Sequence, residues 1–583
     1  MSLSKSFFRM TLLLACGVLF AATVHAQFKA SIQGTVLDSK GGVVPGAKVT
    51  ITNQDTGVVR DTAASAEGFY RISELPPGKY TVTVEGAGFK KSSSKDVSVE
   101  AEQPRGLDIT LEIGAVTELV TVTASTGELE TENGNVNTTI GTQEVLTLPQ
   151  FGRDPYELLR MAPGVFGDNA RQGNGNSFAL PQQVGPGQSN SSIFQTENQV
   201  QIVANGQRVT ANNYSLDGAS IDSLSNGGSA VITPNQESVQ QIIVTSASYN
   251  AEQGRNSGAQ VEVISKAGTN NYHGSGLIKF NDKGLNAFNK FYGAKNIPLS
   301  PIMCEGGAFT IVAQHCPTRN DQKYRDFAGS LGGPVIKNKL FFFFSYEGLR
   351  QTNTVVSRSV KLETPAFEKY VQQAEPNSIA AKIFSTPGIA PRITTTISQT
   401  DCCSLITNPS DPNFHPVGMW YQPGVATGQS IGNGPDLIPD WGVFDLTKPN
   451  SSSGNQYNAR ADYTLGSNQF FASTFLVNLT SVNGGNRPLE DVGFAPKNYV
   501  GTLGWTRTIS SVMVNEARFN FTRFAFDQLQ PTGKTNYGIP QIRLFDFDAS
   551  ALGDAGTLMG IPQAGTTPGK LAENTFAFRD TVS

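Results

Sequence analysis

From residue 30 to about residue 113 apolar and polar side chains alternate in short runs, SIQGTVLD, AKVTITNQ, GFYRISEL, GKYTVTVEG and LDITLE, broken by Gly-Gly, Pro-Gly and Pro-Pro-Gly. A period of two interrupted by turn residues predicts an antiparallel sandwich of about seven strands. Gly46 is placed in the turn before Ala47, and Pro76-Pro77-Gly78 forces the reversal before Tyr80-Thr81-Val82-Thr83-Val84. Glu118 to Ala124, ELVTVTA, reads as an isolated extended segment ahead of a polar stretch from Ser125 to Thr139. Residues 140 to 270 mix signals: DPYELLRM predicts a short helix with Asp154 near its N-terminus, while QVQIVANG, NYSLDG, QQIIVTS and QVEVISK predict strands. Beyond residue 270 the alternation returns. NARADYTLG puts Ala459, Ala461, Tyr463 and Leu465 on one face and Asn458, Arg460, Asp462 and Thr464 on the other; MVNEARFNFT sets Ala517, Phe519 and Phe521 opposite Glu516, Arg518 and Asn520. An apolar face toward lipid and a polar face toward a wet interior is the pattern of a transmembrane barrel, although a soluble sandwich alternates in the same way. Thr364 to Asn450, rich in Pro, Ser, Thr and Asn, reads as a long irregular surface loop.

The N-terminus changes the compartment. Lys5 and Arg9 precede an apolar run from Thr11 to Ala22, and Val24-His25-Ala26 then supplies a small-x-small cleavage site, which together predict an export signal removed after Ala26. The apolar run continues past Cys16, against a lipid-anchor site there. No later stretch reaches the ~18 apolar residues of a membrane helix. Any span must therefore be a closed barrel. The formal charge is -4, from 44 basic and 48 acidic residues; without Lys5 and Arg9 it becomes 42 against 48, or -6, and no basic tract speaks for nucleic acid.

Catalytic and metal chemistry find little support. The exported chain keeps His273, His315 and His415, none opening an HxxE or HExxH pattern, and it has no GxSxG elbow and no P-loop. No enzyme activity and no cofactor are expected. Cys304, Cys316, Cys402 and Cys403 show no CxxC spacing; in an oxidising compartment they suit two disulfides with three pairings open.

Longer phrases carry resemblances. GTVLDSKGGVVPGAKVTI followed by GFYRISELPPGKYTVTVEGAGF resembles the carboxypeptidase regulatory-like domain, a prealbumin-like, carbohydrate-binding-like sandwich whose name implies no peptidase activity. LPQFGRDPYELLRMAPGV, NNYSLDGASID and SASYNAEQGRNSGAQVEVISKAGTNNYHGSG resemble the plug and plug-to-barrel passage of Oar-like TonB-dependent receptors. FAGSLGGPVIKNKLFFFFSYEGLR resembles their early barrel strands, and Glu118-Leu119-Val120-Thr121-Val122-Thr123-Ala124 looks like a TonB box. Carried over residue by residue, the plug resemblance singles out Gly152, Arg153, Asp217, Gly218, Glu252, Gly254, Arg255 and Gly258. These read as architectural: glycines permit turns other residues resist, while Arg153, Glu252 and Arg255 pair inside the lumen.

The expected fold is mainly β: a signal peptide over 1–26, a β-sandwich over 27–115, a linker with the box over 116–139, an α+β plug over 140–270, and the first part of a transmembrane antiparallel β-barrel over 271–583. About eight strands are expected after residue 270, whereas the resemblance implies about 22 around a plug. The sequence is therefore expected to be cut short, with open sheet edges. The resemblance implies TonB on the periplasmic side, outer-membrane lipid around the barrel and an extracellular solute, carbohydrate among the candidates. It implies import of a large solute by plug rearrangement. The alternative is a surface protein that uses the barrel to anchor adhesion, secretion or complex assembly.

Overall fold

The computed structural model describes residues 30–101, 103–114, 119–123, 134–150, 152–172, 192–195, 197–224, 227–247, 256–285, 321–396, 419–420, 441–510, 513–529, 542–543, 557–559 and 569–582. The signal segment, Glu118, Ala124, Glu252, Gly254, Arg255 and the four cysteines Cys304, Cys316, Cys402 and Cys403 lie outside them.

The alternating N-terminal runs become β1 (Ser31–Asp38), β2 (Lys48–Asn53), β3 (Val59–Ala63), β4 (Phe69–Ser73), β5 (Gly78–Glu85), β6 (Lys91–Val99), β7 (Pro104–Gly106) and β8 (Ile109–Leu111), and β9 (Leu119–Thr123) follows. One sheet has the order β4-β1-β7, with β8 also on β1; the other has the order β3-β2-β5-β6-β9. The inward positions of the period-two runs, among them Ile32, Val36, Val49, Ile51, Val82 and Val97, are buried together between the sheets. Gly46 has φ +70°, as its turn requires. Tyr70 and Tyr80 enter this core with their hydroxyls satisfied, Tyr70 Oη donating to Leu107 O at 2.6 Å and Tyr80 Oη to Pro76 O at 2.7 Å. The eight strands over the repeated runs agree with the expected number of about seven. One expectation needs correction: the sandwich is not wholly antiparallel, since β7 and β8 run parallel to β1 and β9 runs parallel to β6. Three-residue strands are too short to show a period, and parallel partners are joined by crossovers that leave no local turn signal.

The α+β body contains β10 (Val136–Gly141), α1 (Thr142–Thr147), a 3-10 turn over Pro155–Met161, β11 (Val165–Gln172), β12 (Asn198–Ala204), β13 (Asn213–Leu216), β14 (Ala219–Ser220), β15 (Val239–Ala247) and β16 (Gln260–Ser265). Its main sheet has the order β10-β15-β16-β13-β14, with β11 and β12 paired separately. The short helix starts where Asp154 accepts from Tyr156 N at 2.9 Å and Pro155 occupies the first position. The polar stretch expected to reach Thr139 ends earlier, because Val136–Gly141 pairs with β15. Its β-branched Thr138 and Thr139 suit an edge strand despite their polarity.

The C-terminal half is a sheet of long strands: β17 (His273–Asp282), β18 (Asp321–Ile336), β19 (Leu340–Glu363), β20 (Ile393–Thr396), β21 (Met419–Trp420), β22 (Trp441–Leu465), β23 (Asn468–Asn483), β24 (Val492–Phe494), β25 (Lys497–Ser510), β26 (Met513–Leu529) and β29 (Gly569–Val582), with β27 (Ile542–Arg543) and β28 (Thr557–Met559) forming a separate pair. The meander β17-β18-β19-β22-β23-β25-β26-β29 is antiparallel throughout. β17 and β29 are not paired with each other, so the sheet is not closed. β19 and β22 have 24 and 25 residues. At about 3.3 Å per residue each reaches roughly 80 Å, far more than the ~30 Å hydrocarbon core, so their ends project beyond the bilayer. Among its described residues the reading of Thr364–Asn450 as irregular is overturned: α2 (Pro365–Ala374), α3 (Ile379–Phe384) and β20 lie within it, and β22 begins at Trp441. Thr364 Oγ1 and Ser378 Oγ cap the two helices, signals hidden in a composition dominated by turn formers.

The predicted faces of the wall are realised. Asn458, Arg460, Glu516, Arg518 and Asn520 are buried against the α+β body, whereas Ala459, Ala461, Ala517, Phe519 and Phe521 face away from it. Tyr324, Leu349, Phe475, Val477, Val500 and Phe524 of the wall join the same apolar core as Tyr156, Tyr214, Val261 and Val263. The α+β body thus seats on the polar face of the wall through a mixed apolar and hydrogen-bonded seam.

Candidate functional site

The seam is built from a turn the sequence announces. Asp217 and Gly218 have φ of 48° and 77° and separate β13 from β14 by two residues, the left-handed pair of a type I′ hairpin, for which Asp-Gly is a preferred sequence. The buried Asp217 carboxylate accepts from Ser265 N at 2.9 Å and Ser265 Oγ at 2.7 Å, with Arg460 Nη1 of β22 at 3.6 Å. Arg460 also donates to Asp462 Oδ1 at 2.9 Å and to Ser265 O at 3.1 Å. The outer side of the turn is held by β26: Arg518 Nη1 donates to Asp217 O at 3.3 Å, Asn520 Nδ2 to Gly218 O at 3.2 Å and Thr522 Oγ1 to Ser220 O at 2.9 Å. Main-chain carbonyls that would be orphaned at a hairpin tip are thereby satisfied by inward-facing wall residues.

Arg153 is the second anchor. It follows buried Gly152 in a left-handed conformation, φ 57°, and its Nη2 lies 3.3 Å from Glu237 Oε1 and 3.5 Å from Glu347 Oε2 of β19. Ser275 Oγ of β17 donates to the other oxygen of Glu237. Gly258 also has a steric reason to be glycine, since a Cβ there would meet Asn212 Oδ1 at 2.6 Å and Ala211 C at 2.7 Å. The structure therefore places Arg153, Asp217 and Gly218 at this seam, with Gly152 next to Arg153, and Gly258 packed against Ala211 and Asn212 within the α+β body.

Sequence reasoning missed the wall's amides. Gln456 Oε1 accepts from Asn235 N at 2.7 Å and Gln456 Nε2 donates to Thr233 O at 2.8 Å, while Asn498 Nδ2 donates to Val231 O at 2.7 Å. The signal was the period of two, because Gln456 shares the inward face with Asn458 and Arg460.

The sandwich docks at the end of the wall with tight turns. Lys337–Lys339 and Gly466–Ser467 are the short connections there. Asn270 N donates to Asp55 O at 2.8 Å, Asn270 Nδ2 to Thr56 O at 2.6 Å, and Asn338 N to Asn270 Oδ1 at 2.9 Å. Arg60 donates to Gln469 beside the second turn, and Ala101 packs against Ile243 and Ile264 of the α+β body. Short turns of such barrels face the periplasm, which puts the sandwich on that side. A cavity of about 160 Å³ lies where sandwich, α+β body and wall meet, lined among others by Arg60, Glu74, Tyr80, Phe341, Arg460 and Phe471. Burial pushes the Glu74 carboxyl up to about 9, reinforced by the charge of Glu516 and opposed by Arg518 and Arg60. β9, whose residues Leu119 to Thr123 were singled out as a partner-binding strand, is not at the seam: it is the last strand of the sandwich's second sheet, paired from Lys91↔Leu119 to Lys95↔Thr123.

At the opposite end the projecting strands carry an ordered lobe. Arg487 is fully buried, with Nη2 2.5 Å from Glu363 Oε1, Nη1 3.8 Å from Glu368 Oε1 and Nε 3.4 Å from Glu490 Oε1, and Nη1 also donates to Ile389 O at 2.7 Å. Arg392 grips Asp491 with two bonds of 2.6 and 2.8 Å. These pairs tie α2, the segment after α3 and the segment after β23 to the rim. Among the described residues no group of three or more His, Cys, Asp or Glu side chains could hold a metal, and no helix is long and apolar enough to cross a membrane.

Two parts of the chain match family models. Residues 31–112 match the carboxypeptidase regulatory-like domain. Over 335 residues the chain is 26% identical to the TonB-dependent transporter Oar of Myxococcus xanthus, covering 57% of this chain and 28% of that protein. The outer membrane transporter YddB from Escherichia coli aligns over 76% of this chain and 45% of its own, at 10% identity and a TM-score of 0.42. A ferric enterobactin receptor, PfeA, from Pseudomonas aeruginosa aligns over 76% and 46%, at 9% identity and a TM-score of 0.36. The chain thus spans less than half the length of each of these relatives. Residues 264–583, more than half of the chain, match the model of the outer membrane beta barrel domain, and the chain belongs to that family, in the outer membrane.

Proposed function

We propose that the chain acts in TonB-dependent import of a large solute across the outer membrane, with the α+β body as the plug, the Arg487 lobe on the solute side and residues 118–124 as the contact for TonB. The observation that carries this reading is the plug–wall seam. It consists of a few directional anchors, Arg153 and the Asp217-Gly218 turn, set among amide contacts such as those of Gln456 and Asn498. Such a seam holds the plug in one register, yet its polar groups can exchange wall partners for water when the plug shifts, which a wholly apolar core would resist. The resemblance to a TonB-dependent transporter supports the same reading. Glu252, Gly254 and Arg255 belong to this plug reading on sequence grounds, and Cys304, Cys316, Cys402 and Cys403 are proposed as loop staples. No covalent chemistry and no cofactor enter the mechanism. Solute binding loosens the seam from outside, and a pull on residues 118–124 displaces the plug from the periplasmic side.

The test uses cells expressing the chain and offered labelled ferric chelates, oligosaccharides and peptides. One class should accumulate only when TonB is present. Deleting 118–124 should abolish accumulation while surface binding persists. Accumulation that survives the deletion would sink the mechanism, and binding with no accumulation in any strain would favour a surface anchor.

A further inference from the structure

Glu74 follows β4 with a φ of 57°, a left-handed conformation that a glutamate seldom adopts and that persists where its surroundings impose it. Arg60 of β3 steadies the chain at this point, Nη1 donating to Ser73 O at 2.9 Å while Nη2 donates to Gln469 of the wall. The Glu74 carboxyl is thereby placed at the junction of the three bodies, buried beside the cavity and hydrogen-bonded to Glu516 of β26. Two carboxyls bond to each other only with a proton between them, and Glu74, pushed up to about 9, holds it. Glu516 thus keeps its negative charge for Arg518, from whose Nε it accepts. Arg518 is also the residue whose Nη1 donates to Asp217 O. Its guanidinium lies over the Phe471 ring, 5.3 Å from the centroid, and that of Arg460, which faces the Asp217 carboxylate, lies over the same ring at 5.2 Å. Gly504, the register partner of Phe471, gives the ring its place, since a Cβ there would come within 2.1 Å of Cε1. One ring therefore sets both cations that hold the turn, and Glu74 acts on that set through Glu516.

We propose that the sandwich is a latch on the Asp217-Gly218 turn: seated at the mouth of the wall, it fixes Glu516 through Glu74, Glu516 fixes Arg518, and Arg518 holds the turn of the α+β body against the wall. The latch goes beyond the import reading and holds for any solute. Undocking the sandwich lets water reach Glu516 and Arg518, and water then competes for the guanidinium from which Asp217 O accepts. Coupling of this kind is reciprocal. A seated turn favours a docked sandwich, and the α+β body leaves the wall more readily once the sandwich has left its seat.

The experiment is hydrogen exchange on the full chain in outer-membrane vesicles, read at the amides of Asp217, Gly218 and Ile221, which donate to Val263 O, Glu262 Oε1 and Tyr214 O. Strands β2 and β5 report whether the sandwich stays folded. Glu74→Ala should quicken exchange at the turn about tenfold while β2 and β5 exchange as in the parent. Glu74→Gln, whose amide can still donate to Glu516, should stay within about twofold of the parent. In an Arg518→Met background Glu74→Ala should add less than about twofold, because the route to the turn is already cut. A turn left unaltered by Glu74→Ala overturns the latch. Equal acceleration by Ala and Gln overturns it too, as does a tenfold effect that persists without Arg518. If Glu74→Ala unfolds the sandwich, so that β2 and β5 quicken as well, Phe471→Leu decides from the other end: with the sandwich intact the turn should quicken, and a turn that exchanges as in the parent sinks the inference.

Discussion

The guanidinium of Arg153 reaches across from the α+β body to the wall, 3.5 Å from Glu347 Oε2, with Glu237 of the α+β body itself at 3.3 Å. Both carboxylates are almost wholly buried. Removing one partner of a buried ion pair costs roughly 3–5 kcal/mol, because the remaining charge is stranded. Arg153→Met is therefore expected to lower the urea midpoint at which Arg153–Met161 loses hydrogen-exchange protection. Arg153→Met with Glu347→Gln should recover part of that loss, because one stranded charge is gone. An unchanged midpoint in the single variant would show that the pair contributes nothing to seating.

The Asp217-Gly218 turn separates backbone from charge. Gly218→Val meets a φ of 77°, where a β-branched residue is strained, and should cost about 1–3 kcal/mol. Asp217→Asn keeps a side chain that tolerates the left-handed region and still accepts from Ser265, but it loses its charge toward Arg460. It should destabilise the α+β body less than Asp217→Ala, which strips the acceptors from Ser265 N and Oγ as well. Thermal melts in detergent of the three variants should rank Asp217→Asn mildest. Equal losses for Asn and Ala would show that the Ser265 bonds do not matter.

Docking of the sandwich should weaken as pH rises. With its carboxyl pushed up to about 9 by burial and by Glu516, Glu74 is held protonated in the docked state at neutral pH. Undocking rehydrates it and draws it back toward its ordinary 4.5. A group whose docked value lies above its free value stabilises docking fully below the free value, and the stabilisation declines until pH passes the docked value. The window is thus pH 4.5 to about 9. Energy transfer between dyes on Thr56→Cys and Asn338→Cys should fall across it, and Glu74→Gln should flatten the fall. A profile that Glu74→Gln leaves as steep would assign the dependence to another group.

What the sequence made legible follows from the range of each cause. The faces of β22 and β26 could be read because period two needs only neighbours, and Asp217-Gly218 because a type I′ turn is a property of two residues. The seating of Asn270 on Asp55, more than 200 positions away, leaves no local trace. Nor does the parallel pairing of β9 with β6, since an isolated β-prone run looks the same beside its own sandwich or beside a partner. The helices α2 and α3 were lost for a different reason. Their caps, Thr364 and Ser378, stand among so many other Ser, Thr and Pro residues that the capping signal drowned in its surroundings.

Arg487 offers the sharpest separation of rim from seam. It is fully buried at the rim, facing the carboxylates of Glu363, Glu368 and Glu490 and donating to Ile389 O. Burial and the neighbouring Glu363 push Glu368 up to about 7, against the pull of Arg487, so the cluster already sits near the limit of the acidic charge one guanidinium can hold. Arg487→Leu leaves those carboxyls without a cation and should cost about 3 kcal/mol or more locally. The cost falls on α2, α3 and the segment around Arg392 and Asp491, none of which touches Arg153 or Asp217. Hydrogen exchange over residues 365–396 should accelerate while protection of the α+β body and of the wall strands stays as in the parent. If exchange quickens in the α+β body as well, the lobe and the seam are one cooperative unit coupled through the wall.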